Sequence, residues 1–424
     1  MPSGIAVVRI SGPRSRFAVE TISENVPASG RVRLRSFASR DGRPLDRGLL
    51  VFFEGPASFT GEDSAEFHVH GGKAVVAAMV AELTALDGVR LAESGEFTLR
   101  AFLNGKIDLP QAEALGDLIS AETEAQRRSA LMNAQGAQSG LYQDWSGRLT
   151  HARAMIEAEM DFSDEADVAA SSADRTGDDL RLLAGEIRHH VASYSRAEII
   201  RDGYDVVIIG APNAGKSSLL NALARRDAAI VSDEPGTTRN LMEISLDLHG
   251  CKVRITDTAG LREGGGTVEN LGIERAKARA RDADLVLHLV DVLSEPVLAD
   301  DLAGCETMLV RTKAELLSGR RQDDRSLSVS AFSGAGVDEL LEMLGRRAAT
   351  AIGSPADILP SQLRHVALLR AVLESIDRAV QPALPSEIQG EYLRQAAFSL
   401  GRISGSVDVE DLLDVIFSRF CIGK

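Results

Sequence analysis

Aromatic residues are scarce: Phe, Tyr and Trp make up 4% of the 424 residues, with a single Trp. That poverty argues against a row of stacking rings for single-stranded nucleic acid. Cysteine is rarer still, at three residues, Cys251, Cys305 and Cys421, with no CxxC pair. So small and odd a set rules out a disulfide framework and predicts a reducing, cytoplasmic setting. No run of about 18 apolar residues occurs, so no membrane-spanning helix is expected. Net positive charge is also missing: 47 Lys and Arg against 62 Asp and Glu give −15. A chain of that sign lacks the overall basic footprint of a duplex binder, so RNA contact would rest on local patches or a partner. What is present, 44% hydrophobic and 26% charged residues, is ordinary globular composition. At about 150 residues per domain, the length predicts two or three domains with ample cores.

The beginning, MPSGIAVVRISG, has no charged segment ahead of a long apolar one and does not read as a signal peptide. A strand is under way by Ile5, the expectation for a chain that starts short of its first domain's true beginning. Residues 1–104 alternate short strands (IAVVRI, GLLVFF, SAEFHVH) with turns and a Gly-led helix, an α+β module. Asp108-Leu109-Pro110 then opens helical text over 105–200. Leu180, Leu183, Ile187, Val191 and Tyr194 give it a packing seam. The acidic stretch DFSDEADVAASSADRTGDD reads as an exposed loop. Over 203–350 the strands DVVIIG, KVRITD, ADLVLHLVD, TMLV and LSVS alternate with helical segments, the pattern of βαβ units around a parallel sheet. The linker IGSPADILPS leads to 355–424. There Val366, Leu369, Leu373, Ile376 and Val380 form a second seam. Val409, Leu412, Leu413, Ile416, Phe417 and Phe420 mark a last amphipathic helix. The expected fold is multidomain α/β and α, with the α/β domain inserted into a helical domain whose two pieces pack together.

Gly210-Ala211-Pro212-Asn213-Ala214-Gly215-Lys216-Ser217 fits GxxxxGK[ST], directly after a strand and opening a helix. In that context backbone N–H groups point at phosphate oxygens, Lys216 neutralises their charge and the Ser217 hydroxyl ligates Mg²⁺. Nucleotide contacts are expected from Asn213, Ala214, Gly215, Lys216, Ser217 and Ser218. A second group follows in SDEPGTT: Ser232, Asp233, Glu234, Pro235, Gly236, Thr237 and Thr238, with the Thr238 hydroxyl reaching Mg²⁺. A third is Asp257-Thr258-Ala259-Gly260 at a strand end, a carboxylate near the ion and a glycine N–H near the γ-phosphate. Ser330, Ala331 and Phe332 would touch the base through backbone.

This order resembles the translation-factor-like GTPases, whose guanine motif is NKxD. Here the corresponding residues are Thr312-Lys313-Ala314-Glu315. Glu315 keeps a carboxylate on a longer arm, Thr312 loses the amide and Lys313 keeps a stem for stacking, so guanine is expected to be read with weaker discrimination. Leu261 follows the DTAG motif where many small GTPases place a water-orienting Gln.

The whole chain resembles the tRNA-modification GTPases of the MnmE (TrmE) type. The resemblance rests on IAVVRISG, SFTGEDSAEFHVHGG, GEFTLRAFLNGKIDLPQAEAL, GAPNAGKSSLLN, EPGTTRN, DTAGLRE and the terminal CIGK, in that order. It implies a K⁺ ion held by Asn213, Ser232, Glu234 and Thr237, which does the work of an arginine finger. It implies that Glu269 orients the attacking water through a second water, making Asn213 and Glu269 catalytic. It implies an N-terminal folate-binding and dimerisation domain taking 5-formyl- or 5,10-methylene-tetrahydrofolate on Arg9, Glu66, Lys106 and Lys424, with Cys421 a catalytic candidate. The implied function is C5 modification of the tRNA wobble uridine, U34, by a homodimer working with the FAD-dependent MnmG (GidA). Two alternatives remain open on motifs alone: a ribosome-assembly GTPase of the Era or Der kind, and a non-catalytic GTP-dependent interaction switch. His68 and His70 alternate on a strand, but no third metal ligand accompanies them.

Overall fold

The structure, a computed structural model, describes residues 3–161, 169–226, 228–230, 243–257, 278–296, 304–316, 326–407, 413, 416–418 and 420. The chain packs as two units. One comprises Met1–Gly116, Ala134–Glu157 and Gly390–Lys424; the other comprises Asp117–Asn133 and Ala158–Gln389.

In the first unit β1 (Ile5–Ser11), β2 (Arg33–Ala38), β3 (Pro44–Phe53) and β4 (Ser64–His70) form an antiparallel sheet in the order β1-β4-β3-β2. The two-residue period decides the faces. Ala6, Val8 and Ile10 of β1 and Ala65, Phe67 and Val69 of β4 turn to a core shared with the helices Ser15–Ser23 and Lys73–Thr84. Phe37, Leu50, Phe67, Met79 and Leu83 are fully or nearly fully buried there, each stabilising the fold by roughly 1.5–3 kcal/mol. Arg9, Glu66 and His68 fall on the opposite face. A second apolar cluster joins Leu109, Ala112 and Phe417 with Phe102, Leu413 and Phe420. Of the expected last helix, Leu413, Ile416 and Phe417 are helical. Phe420 lies beyond the helix, its ring still 5.7 Å from that of Phe417. Val409 and Leu412 lie outside the described residues.

The second unit holds a six-stranded sheet in the order β10-β9-β8-β5-β7-β6. Its strands are β5 (Tyr204–Gly210), β6 (Glu243–Leu248), β7 (Cys251–Asp257), β8 (Leu285–Asp291), β9 (Thr307–Thr312) and β10 (Leu327–Ser328). Val206 and Ile208 bury one face against Leu219, Leu223, Leu340 and Leu344 of the helices Lys216–Ala224 and Val337–Ile352. Val207 buries the other face with Ala280 and Val286. Burial on both faces is why the central strands β5 and β8 read as unbroken apolar runs, whereas β7 and β9 alternate buried with half-buried residues.

Two expectations need correction. The sheet is not wholly parallel, because β6 runs antiparallel to β7. Only two residues, His249 and Gly250, join them, both with positive φ (57° and 78°). That is a two-residue hairpin turn, too short for any parallel crossover. The stretch expected as a loop through Asp179 is helical from Ala169, in the helix Ala169–Ala192. Alanines at 169, 170 and 173 favour extending the amphipathic helix backwards. The seam itself is split, for Tyr194 opens a separate helix, Tyr194–Asp202. Leu180, Leu183 and Ile187 are buried, as are Val366, Leu369, Leu373 and Ile376 of the helix Leu363–Ala379 packed beside them. Arg188 joins the two helices by donating to Asp377 at 2.8 Å.

Candidate functional site

In an open α/β sheet a ligand sits beyond the carboxyl ends of the strands, where the strand order reverses. Here that point lies at the end of β5, between β7 and β8. The chain leaves β5 through Gly210, whose φ of 154° no side chain comfortably adopts, and a Cβ there would lie 2.4 Å from the Leu289 carbonyl oxygen. Gly210 thus lets the loop hug the sheet. Asn213 follows, exposed and at φ 65°. Gly215, at φ 85°, caps the helix that Lys216 begins.

Lys216 is 6% exposed, and its Nζ donates to the carbonyls of Gly210 and Ala211, both at 2.9 Å. The loop therefore closes around a cation at a helix N-terminus, a concentration of positive charge suited to an anion. Ser217 Oγ donates to Asp257 Oδ2 at 3.0 Å, bringing together the end of the phosphate loop and the end of β7. Asp257 is buried and stands opposite Ile208 in the β5–β7 register. Ser218 is exposed on the first turn of the helix.

The residues expected to meet the base gather at the ends of β9 and β10. Thr312 is buried, and its Oγ1 donates to the Ala214 carbonyl at 2.7 Å. Lys313 has φ 59° and pairs through Nζ with Asp291 Oδ2 at 2.6 Å. The Lys313 ammonium, helped by the Leu293 N–H, holds the Asp291 carboxyl below the usual carboxylate range. Sequence reasoning missed Asp291, although an acid at the end of an apolar strand, LVLHLVD, was the available signal. Glu315 is exposed on a short turn, Ala314–Leu316. Ser330 is fully buried, Ala331 half-buried and Phe332 91% exposed. Ala314 N–H donates to the Val329 carbonyl at 3.1 Å, tying the two loops together.

Several expected residues lie outside the described residues: Ser232, Asp233, Glu234, Pro235, Gly236, Thr237, Thr238, Thr258, Ala259, Gly260, Leu261, Glu269, Cys421 and Lys424.

On the outer face of the first sheet, Arg9 and Glu66 stand in register across β1 and β4. Arg9 donates to Glu66 Oε1 from Nε at 3.1 Å and from Nη2 at 2.8 Å. His68 Nε2 lies 3.3 Å from Glu66 Oε2, and His70 Nδ1 lies 2.8 Å from Asp46 Oδ1, so each histidine has its own carboxylate. The Arg9 guanidinium also lies 5.7 Å from the centre of the Phe97 ring. Lys106 follows the same helix, Glu96–Leu103, but its Nζ donates to the Pro56 carbonyl at 2.8 Å. Arg9 and Glu66 are thus brought together, and Lys106 is held on a neighbouring loop.

A phosphate loop after the first parallel strand, a Ser–Asp pair beside it and an antiparallel edge strand define a Ras-like P-loop GTPase domain. Two family models match the chain: "GTP-binding protein TrmE N-terminus" over residues 1–106 and "MnmE helical domain" over residues 109–421. The tRNA modification GTPase MnmE of Mesorhizobium japonicum is 58% identical, covering 100% of this chain and 97% of that protein. The protein of the same name from Brucella ovis is 53% identical, covering 100% and 96%. Among solved structures, the G domain of the FeoB iron transporter of T. maritima is 22% identical, covers 34% of this chain and 98% of that one, and has a TM-score of 0.27. The chain belongs to the MnmE (TrmE) family of tRNA modification GTPases. Among the described residues, no helix is long and apolar enough to cross a membrane.

Proposed function

We propose that this chain hydrolyses GTP, with K⁺ and Mg²⁺, in the C5 modification of the tRNA wobble uridine, U34. The observation that carries the nucleotide half is the contact between Ser217 and Asp257 beside a loop closed on Lys216. Two hard oxygen donors 3.0 Å apart, one a buried carboxylate, suit Mg²⁺. Ser217, with Thr238, would hold the ion, which when bound neutralises phosphate charge. Lys216 orients the β- and γ-phosphates. Thr312 keeps the loop in place through Ala214. Asn213 offers an exposed amide oxygen on the crest of the loop, a reasonable K⁺ donor, with Ser232, Glu234 and Thr237 as the remaining ligands. Glu269 takes the water-orienting role that Leu261 has no polar atom to fill.

Family membership supports the tRNA half. The aminomethyl or carboxymethylaminomethyl group is installed jointly with MnmG (GidA), and a tetrahydrofolate supplies the carbon. Arg9 and Glu66 fit such a ligand chemically: a guanidinium for its glutamate and a carboxylate for the N–H edge of its pterin. Lys106 and Lys424 add positive charge, and Cys421, three residues before Lys424, is the catalytic candidate. The active form is a homodimer in the cytoplasm.

Steady-state turnover in KCl and in NaCl tests the first half. K⁺ should raise the rate by roughly the 10³-fold or more that an arginine finger gives, and Asn213→Ala should remove that response while leaving GDP binding intact. Equal turnover in both salts would refute K⁺ activation. Turnover no faster than in buffer alone would leave only a GTP-dependent switch. For the second half, tRNA from a strain lacking the gene should have lost its C5-aminomethyl-type uridines and regain them on complementation. Unchanged nucleosides would count against it.

A further inference from the structure

The base end of the nucleotide site carries a large side chain that the fold does not use. Phe332 is 91% exposed, more than any other large apolar side chain among the described residues. Its loop is closed on itself. Ser330 N–H donates to the Ala335 carbonyl and Gly334 N–H to the Ser330 carbonyl, both at 2.9 Å, and Ser333 N–H donates to Ser330 Oγ at 3.1 Å. Those bonds, anchored on a fully buried Ser330, hold the ring up from the surface. The loop is also connected to the phosphate site. Val329 accepts from Ala314 N–H, and Thr312, two residues before Ala314, donates to Ala214 of the phosphate loop. The ring therefore stands at one end of a continuous set of loops at the carboxyl edge of the sheet.

The usual hydrogen-bonding readers of a base are reduced in the same place. The one hydroxyl proton of Thr312 is committed to Ala214, with the side chain buried. The Lys313 ammonium is held by Asp291. Among the described residues of this motif, Glu315 alone presents a carboxylate to solvent. What the site offers a base in abundance is apolar area: the Lys313 stem and the Phe332 ring.

We propose that the Phe332 ring stacks on the nucleobase and supplies affinity common to all purines. Every base has a π-face, so stacking strengthens binding without discriminating. The proposal rests on the GTP-site reading above. The full chain would be titrated calorimetrically with GDP, IDP and ADP, as wild type and as Phe332→Ala. The variant should bind all three about tenfold more weakly, leave their ratios unchanged and melt at the wild-type temperature. Phe332→Trp should restore affinity and change its fluorescence on nucleotide addition, with Phe332→Ala giving the background of the buried Trp145. GDP affinity unaltered in Phe332→Ala would overturn the proposal and give the ring to a protein contact. Loss of GDP binding alone, with ADP unchanged, would overturn it in favour of an indirect effect through Glu315. A wild-type chain that binds no guanine nucleotide would instead refute the GTP reading itself.

Discussion

Thr312 stands where related GTPases carry Asn, and its contacts say what a hydroxyl preserves. Its bond to the Ala214 carbonyl, at 2.7 Å, fastens the phosphate loop to the end of β9. Thr312→Val keeps the shape and removes the donor, leaving a carbonyl without that partner at a net cost of about 1 kcal/mol. GDP affinity should fall about fivefold, and Thr312→Ser should restore it, as measured by calorimetric titration. An undiminished affinity in the valine variant would mean that the bond does not position the loop. Lys216→Ala removes a charged donor whose hydrogen bonds to phosphate oxygens contribute about 1.5–3 kcal/mol each. Two such bonds predict at least a hundredfold loss of nucleotide affinity with an unchanged circular dichroism spectrum. The phosphate loop was legible in the sequence because its chemistry is local: Gly210 to Ser217 are consecutive. Asp291 was not, because its role is set by Lys313, which reaches it only once β8 and β9 are paired. Arg9 and Glu66 could be named singly, but their contact depends on a register joining residues 57 positions apart.

Among the elements, β5 and β8 were legible as apolar runs, since burial on both faces leaves few other ways to read them, and β7 and β9 as short β-branched runs bounded by turns, buried at every second residue. β6 went unread, because EISLDL alternates apolar with polar residues and offers no apolar run; the two-residue turn after it decides its direction. The limits of the helix Ala169–Ala192 were hidden by acidic, serine-rich text whose alanines carry the helical preference. The same helix places His190 in the layer shared with Leu363–Ala379, where His190 is 5% exposed and His365 fully buried. Burial first, then repulsion from His365, pushes the His190 pKa down to about 4, while a Ile358 backbone hydrogen bond opposes the shift. An unfolded histidine titrates near 6.5, so between about pH 6.5 and 4 the unfolded chain holds more protons than the folded one. Stability conferred by this residue is therefore complete above pH 6.5 and declines as pH falls through that window. At pH 5 the decline attributable to His190 amounts to about 2 kcal/mol. Unfolding measured at pH 7.5 and pH 5.0 should show a drop smaller by about that amount in His190→Gln than in the wild type. An identical drop in both would dissociate the effect from His190.

The first unit raises a question of assembly. On the sheet face opposite its helices, Val7, Leu49 and Leu34 are exposed and align through His68 across all four strands. Ile5 and Val32 extend the exposed apolar surface. Four strands about 4.8 Å apart and about seven residues long present roughly 400 Å². That is the whole face, with Arg9, Glu66 and His68 included, and about half of what each partner contributes to a standard interface. If this face joins two copies, it is the apolar centre of a larger contact, and its central residues matter most. A two-fold interface repeats any change, so Leu49→Asp puts two carboxylates into one apolar centre. Removing a buried charge's partners costs about 3–5 kcal/mol, enough to weaken the dimer at least a hundredfold. Sedimentation velocity at micromolar concentration should find the wild type dimeric and Leu49→Asp monomeric. GDP affinity should be unaltered, because the nucleotide loops belong to the other unit. The side chain is 41% exposed, so the isolated fold has little to lose from the aspartate. A Leu49→Asp chain that stays dimeric at the same concentration would place the contact between copies elsewhere.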